Sequence, residues 1–525
     1  MEEAQEEKRM GYKVWIILIA ILAIGFFLRI YNIDHAPPGV YPDEAVNGMD
    51  AVQAEESGNY QWFYTANNGR EGLFMNMIAM SFKFFGISPL SLRIPSIVFG
   101  TLTILGTYLV AKELFQKERV GLLAGYLVAV SYWSINFSRI SFRAILVPFI
   151  LSFSFYFLFR AVRTKKWYDF AAGGLIFGIG LHTYIAFRIA PLILVVALMS
   201  FMLSRKDFLK EYWKGILIFI TGTIITVAPI LYTFYIHPEY LSSRTASVSI
   251  LSPDVNQGHL FATFFRSFGL SLAKYNFWGD QNWRHNYPPY PVLDIASGIA
   301  FLFGIAYSFI RLFHLLWNRI VDGYRNSRLD KHVFLISWFF IMLVPEFMTA
   351  EGLPHALRSI GTLPAVFILA AMTFDYFFRY AERHTPFFRK LNAAMVIIVL
   401  LSIGIFNSIK YHLFWAHKTE AASSFERPLM DISEYLHTLP LQQEKIVFAE
   451  SMQRIPIQVF DWKMPNTEYL YSGQINEFSP TSDNFIVILT DKNDAIISHI
   501  QDKFPELALK ERKDAYGLSF YTLSK

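Results

Sequence analysis

The residues able to do chemistry gather in two polar stretches and at a few helix ends. After an opening apolar segment the chain carries Asp34, His35, Asp43, Glu44, Asp50, Arg70 and Glu71. Asp43 and Glu44 are adjacent and follow Pro42, a residue that keeps its predecessor extended and suits the first position of a helix. Both carboxylates then fall in a first helical turn, where the helix dipole favours ionisation. An ionised carboxylate there is a general base or a metal ligand, and the same pair reads equally as an N-terminal cap. Further along, cations recur in small groups: Arg139 with Arg143, His182 with Arg188, Arg284 and His285 beside Asp280, and His355 with Arg358. Such groups hold phosphate oxygens by charge-assisted hydrogen bonds. The combination fits a displacement at a phosphate ester: the leaving anion needs cations and no general acid, and an acceptor hydroxyl needs a base. With a sugar phosphate as donor, such a displacement would be single and would invert the anomeric carbon through an oxocarbenium-like transition state.

Each candidate also has a structural reading. Arg93 in SLRIPS reads as a snorkelling anchor, Arg139 and Arg143 as partners of lipid headgroups, and Tyr184 as a membrane-belt aromatic. Asp280 in WGDQNWRHN caps a helix, positions substrate or binds a metal, the first two being favoured. His355 and Arg358, between Pro354 and Pro364, share a face if that stretch is helical. A divalent cation is compatible with these residues and is not required by them.

Membrane helices are what must position these residues. Of 525 residues 54% are apolar and only 17% charged, against roughly 25% in soluble domains. The net charge of +5 lies in short clusters between apolar runs, the pattern of membrane orientation rather than of nucleic-acid binding. No cysteine occurs, which excludes disulfides, thiolate metal sites and cysteine nucleophiles. A ruler of about 20 residues predicts spans at 14–33, 92–111, 120–137, 144–159, 168–185, 189–203, 215–236, 292–310, 333–349, 360–378 and 391–409. The N-terminal MEEAQEEKRMGYK leads into the first as a retained signal anchor. Alternate connections hold basic clusters: Lys112, Lys117 and Arg119; Arg160 to Lys166; Arg205 to Lys214; Arg311 to Lys331; Arg379 to Lys390. These are predicted cytoplasmic together with the N-terminus. Outside then lie the loops 34–91 and 237–291 and the tail after Lys410. In the tail, EKIVFAES, DNFIVILTD and GLSFYTLS read as strands and DAIISHIQDKF as an amphipathic helix. The predicted architecture is an all-α polytopic membrane core, 1–412, followed by a small soluble α/β domain, 413–525, read as an accessory or substrate-facing module.

The runs PDEAVNGMDAVQAEESGNYQW and GREGLFMNMIAMSFKFFGISPLSLRIPS resemble the first outer loop and second helix of GT-C glycosyltransferases of the family 39 type. That group includes protein O-mannosyltransferases, lipid A aminoarabinose transferases and bacterial relatives. FSRISFRAILVPF, HTYIAFRIAPL, GDQNWRHNYPPYPVLD and EGLPHALRSIGTLP are similar to its bacterial branch, in the same order. The resemblance implies a many-helix GT-C core in the cell membrane, an outward cavity, a polyprenyl-phosphate sugar donor and a glycan, lipid or protein acceptor. It carries the base to Asp43, with Glu44 as a positioning group. Two departures stand out. Arg70-Glu71-Gly72-Leu73 replaces a Lys-Pro-Pro-Leu element, so a lysine role does not simply pass to Arg70. Arg143 stands where many relatives have an acid. The competing expectation is a transporter or lipid-linked-sugar flippase, which places ionisable residues mid-span and repeats its halves. Here the span centres are nearly free of charge and no repeat is visible.

Overall fold

The computed structural model describes residues 2–242 and 249–525. Residues 243–248 of the predicted outer loop 237–291, and Met1 of the predicted cytoplasmic terminus, lie outside the described residues. In chain order the helices and strands are α1 (Glu2–Ile30), α2 (Pro42–Ser57), β1 (Phe63–Tyr64), β2 (Arg70–Glu71), α3 (Leu73–Phe85), α4 (Pro89–Phe115), α5 (Glu118–Val130), α6 (Tyr132–Ser138), α7 (Leu146–Thr164) and α8 (Trp167–Ile179). There follow α9 (Pro191–Ser204), α10 (Phe208–Ile236), α11 (Glu239–Ser242), α12 (Pro253–Asn256), α13 (Leu260–Ala273), α14 (Ile295–Val321), α15 (Arg328–Phe347), α16 (Leu363–Ala381) and α17 (Pro386–Ile409). The tail holds α18 (Thr419–Ser424), α19 (Arg427–Leu436), β3 (Glu444–Phe448), α20 (Ser451–Phe460), β4 (Thr467–Leu470), β5 (Phe485–Leu489), α21 (Asp494–Lys503), β6 (Ala508–Lys513) and β7 (Ser519–Ser524).

The chain forms two compact units. One comprises residues 1–31, 62–74 and 96–411; the other comprises 32–61, 75–95 and 412–525. Most of the first outer loop thus belongs to the same unit as the tail.

In the first unit a helix stands at each of the eleven predicted spans. Among the described residues eight are long and apolar enough to cross a membrane, and nine if α5 and α6, bent by 61°, form one broken span. The remaining two depart for identifiable reasons. Helix α8 has 13 residues, about 20 Å of rise, and gives way to tighter turns after Ile179. Helix α15 has Arg328, Asp330 and Lys331 near one end and Glu346 near the other, which shortens its apolar stretch. Small residues let α8 and α10 approach closely: a Cβ at Gly174 would strike the Phe219 carbonyl, and one at Gly178 the Thr226 hydroxyl. The α5–α6 break frees backbone carbonyls that lipid cannot satisfy. Arg29, fully buried, donates to the Val128 and Ala129 carbonyls and to the Ser134 and Ser138 hydroxyls.

In the second unit a five-stranded sheet has the order β4-β3-β5-β7-β6. β3 pairs in parallel with β4 and β5, while β7 runs antiparallel to β5 and β6. The three predicted strands are β3, β5 and β7, and the predicted amphipathic helix is α21. One face of the sheet packs Ile446, Val487 and Leu489 against Ile496 and Ile500 of α21. The other packs Val447, Ile486 and Ile488 against Leu429 and Ile432 of α19 and Ile457 of α20. Strand β6, ALKERK, is almost wholly exposed and blunts the sheet edge with charge.

Candidate active site

In the second unit, Pro42 opens α2 and sets Asp43 and Glu44 in its first turn, as predicted. The two carboxylates differ sharply. Glu44 is fully buried: one oxygen accepts the Tyr41 amide at 3.3 Å, and its carboxylate pairs with Arg93 at 3.3 Å. Arg93 is itself fully buried and also donates to the Ile33 and Gly39 carbonyls, so it locks the turn and does not snorkel. Asp43 is partly exposed. Helix α2 packs along α20: a Cβ at Gly48 would lie 3.1 Å from Val459, and Glu56 takes a 2.7 Å hydrogen bond from the Trp462 indole and a salt bridge from Lys463. The tail therefore braces the helix that presents Asp43.

In the first unit, Arg143 just before α7 and Arg188 just before α9 converge on Glu71, at 3.0 and 3.3 Å. Glu71 is buried on β2, whereas the two guanidiniums keep some exposure, 11% and 26% of their side chains. The Arg143 guanidinium lies over the Tyr184 ring and that of Arg188 over Phe234. The predicted belt aromatic thus supports a cation. Arg70, next to Glu71, is buried, and its Nε donates to the Ala66 carbonyl.

A third cluster, also in the first unit, brings together Asp280, His285 and His355, whose ligand atoms lie within 4.8 Å of one another. Asp280 accepts the Asn282 and Ala356 amides and pairs with His285 Nδ1 at 3.1 Å, which ties the WGDQN turn to the 349–359 loop. Burial holds the His355 imidazole well below its usual pKa, and its buried Nδ1 has no hydrogen-bond partner. A neutral imidazole beside a second imidazole and a carboxylate is a donor set that fits a divalent cation such as zinc.

The structure disperses the other candidates. Arg139 is fully buried, donates to the Leu28 carbonyl and lies over Tyr411. His182 bonds the Thr226 carbonyl at 2.8 Å. Arg284 folds onto Asn282, and Arg358 onto Glu351 at 3.1 Å. Residues 351–359 form turns, so His355 and Arg358 do not share a helical face. Sequence reasoning missed Lys274 and Glu346, a fully buried ion pair whose carboxylate also accepts the His355 amide at 3.0 Å. Glu346 beside Pro345, near the end of an apolar run, was the available signal.

Residues 73–233 match the family model described as dolichyl-phosphate-mannose-protein mannosyltransferase. Comparison with curated proteins gives no match. Among solved structures, ArnT from Cupriavidus metallidurans bound to undecaprenyl phosphate aligns with a TM-score of 0.55 at 12% identity, covering 97% of each chain. The oligosaccharyltransferase AglB from Archaeoglobus fulgidus, in complex with an inhibitory peptide and a dolichol-phosphate, aligns at 0.51 and 13% identity, covering 98% of this chain and 75% of that one. The fold is that of GT-C membrane glycosyltransferases. The family model and the shared fold thus fall on the same chain, the model over residues 73–233 alone.

Proposed function

We propose that this protein is a membrane glycosyltransferase that moves a sugar from a polyprenyl-phosphate donor to a hydroxyl acceptor on the outer face of the cell membrane, with inversion at the anomeric carbon. Asp43 takes the acceptor proton as the oxygen attacks the anomeric carbon. The carbon–oxygen bond to phosphate breaks, and the lipid phosphate leaves as an anion held by Arg143 and Arg188 with Arg70 beside them. Glu44 positions the turn. The observation that carries this reading is the convergence of Arg143 and Arg188 on Glu71, which gathers two partly exposed guanidiniums at two helix starts. The polyprenyl phosphates bound to ArnT and AglB support a donor of the same kind. Asp280, His285 and His355 would hold a divalent cation, which would supply positive charge at that loop. The basic clusters support a cytoplasmic N-terminus and an outer tail.

The test is mass spectrometry of lipid-linked sugars and envelope glycans in cells carrying the parent, the Asp43→Asn variant or no protein. The proposal expects one sugar-modified acceptor to vanish in the last two and its lipid-linked donor to accumulate. Unchanged profiles in all three would overturn it.

A further inference from the structure

A charged cavity of about 510 Å³ opens in the first unit among Glu113, Arg163, Arg205, Asp330 and Lys331. Its residues sit at the ends of their helices opposite to the Glu71 cluster. Arg143 precedes α7 and Arg163 closes it, about 28 Å away by helical rise. Arg188 and Arg205 likewise flank α9, and Lys331 lies at the opposite end of α15 from Glu346. The cavity is therefore separate from the arginines gathered at Glu71 and from Glu346.

Its charges are unequal. Glu113 is buried and bonded by two nitrogens of Arg163, the longer at 2.9 Å. Asp330 is buried and held by Ser204 and by Arg205 at 3.3 Å. Each carboxylate is thus matched by one guanidinium, and Lys331 is the charge left over. Among the described residues its ammonium has no hydrogen bond or ion pair; it lies 5.7 Å from the Phe115 ring centre. Partial burial of an unmatched ammonium is costly unless an anion completes the site. Leu114, Phe159 and Val162 add an apolar wall. We propose that this cavity binds a phosphate group through Lys331 with Arg163 and Arg205 at its sides, and that the phosphate belongs to a phospholipid headgroup whose chains lie along the apolar wall.

The experiment is native mass spectrometry of the full chain in detergent, titrated separately with phosphatidylglycerol and with inorganic phosphate. The parent is expected to retain one phosphatidylglycerol, Lys331→Ala to weaken it by about tenfold or more, and Lys331→Arg to restore it. Lys210→Ala, an exposed lysine at a neighbouring helix start, is expected to leave binding unchanged. Inorganic phosphate bound in a Lys331-dependent way without lipid retention would sustain the anion site and overturn its lipid source. Folded Lys331→Ala and Lys331→Gln proteins that bind both probes within about twofold of the parent would overturn the site itself.

Discussion

Glu44 and Glu71 are both buried glutamates facing arginine, and they sit in regions built to opposite ends. Around Glu44 the pairing is sealed: the buried Arg93 guanidinium spends its remaining donors on the Ile33 and Gly39 carbonyls, and the carboxylate also caps α2. Around Glu71 two guanidiniums meet one carboxylate and stay partly exposed on aromatic faces. A sealed pair fixes geometry, whereas guanidiniums that keep some exposure can turn a face to a ligand. The first region then offers chemistry only through the neighbour of its locked residue, Asp43. The second offers it through the arginines themselves.

The largest expected effect breaks the comparison at Asp43. Asparagine caps a helix as well as aspartate, so Asp43→Asn should fold and bind donor while turnover falls by about 10²- to 10⁴-fold. Steady-state transfer by the purified protein decides it; a rate near that of the parent would remove Asp43 from the mechanism. Next comes the lock. Arg93→Ala leaves Glu44 buried without its partner, which should cost about 3–5 kcal/mol and show as a large fall in melting temperature in detergent. If Arg93→Ala melts with the parent, the turn is not held as described.

The Glu71 region predicts binding losses instead. Arg188→Ala removes one charge-assisted contact, about 1.5–3 kcal/mol, and should weaken polyprenyl-phosphate binding by roughly tenfold to a hundredfold with little change in melting. Arg143→Ala should do the same. Equal donor affinity in both variants would move the phosphate site elsewhere.

How far the sequence reached follows the same division. Helix positions were legible because lipid imposes one period and one length, and β3, β5 and β7 because buried strands are continuous apolar runs. Strand β6, with the sequence ALKERK, carried no such signal and forms only because β7 pairs with it. The Asp43 turn was readable from Pro42. The Arg93 lock was not, because its partners lie 49 to 60 residues away in the chain. The same distance effect separated Arg143 and Arg188, each visible as a cation, from their shared Glu71. Arg139 looked like Arg143 four residues on, and only packing shows it turned inward.

The smallest expected effect concerns the tail that braces α2. Asp461, at the end of α20, accepts Ser433 Oγ at 2.8 Å and faces His437 Nδ1 at 3.1 Å. Burial pushes its carboxyl up to about 7, against the downward pull of Ser433 and His437. The unfolded value is near 3.9, so between roughly pH 4 and 7 the folded protein binds more protons than the unfolded chain. Stability from this group is therefore complete at the acid end and lost as pH rises through about 7. Asp461→Asn keeps an acceptor for Ser433 and cannot ionise. Its melting temperature should lie closest to that of the parent near pH 5 and exceed it increasingly toward pH 8, a divergence of a few degrees. Parallel melting curves across that range would show that the brace on α2 does not titrate, and that its hold on the Asp43 turn is one of packing alone.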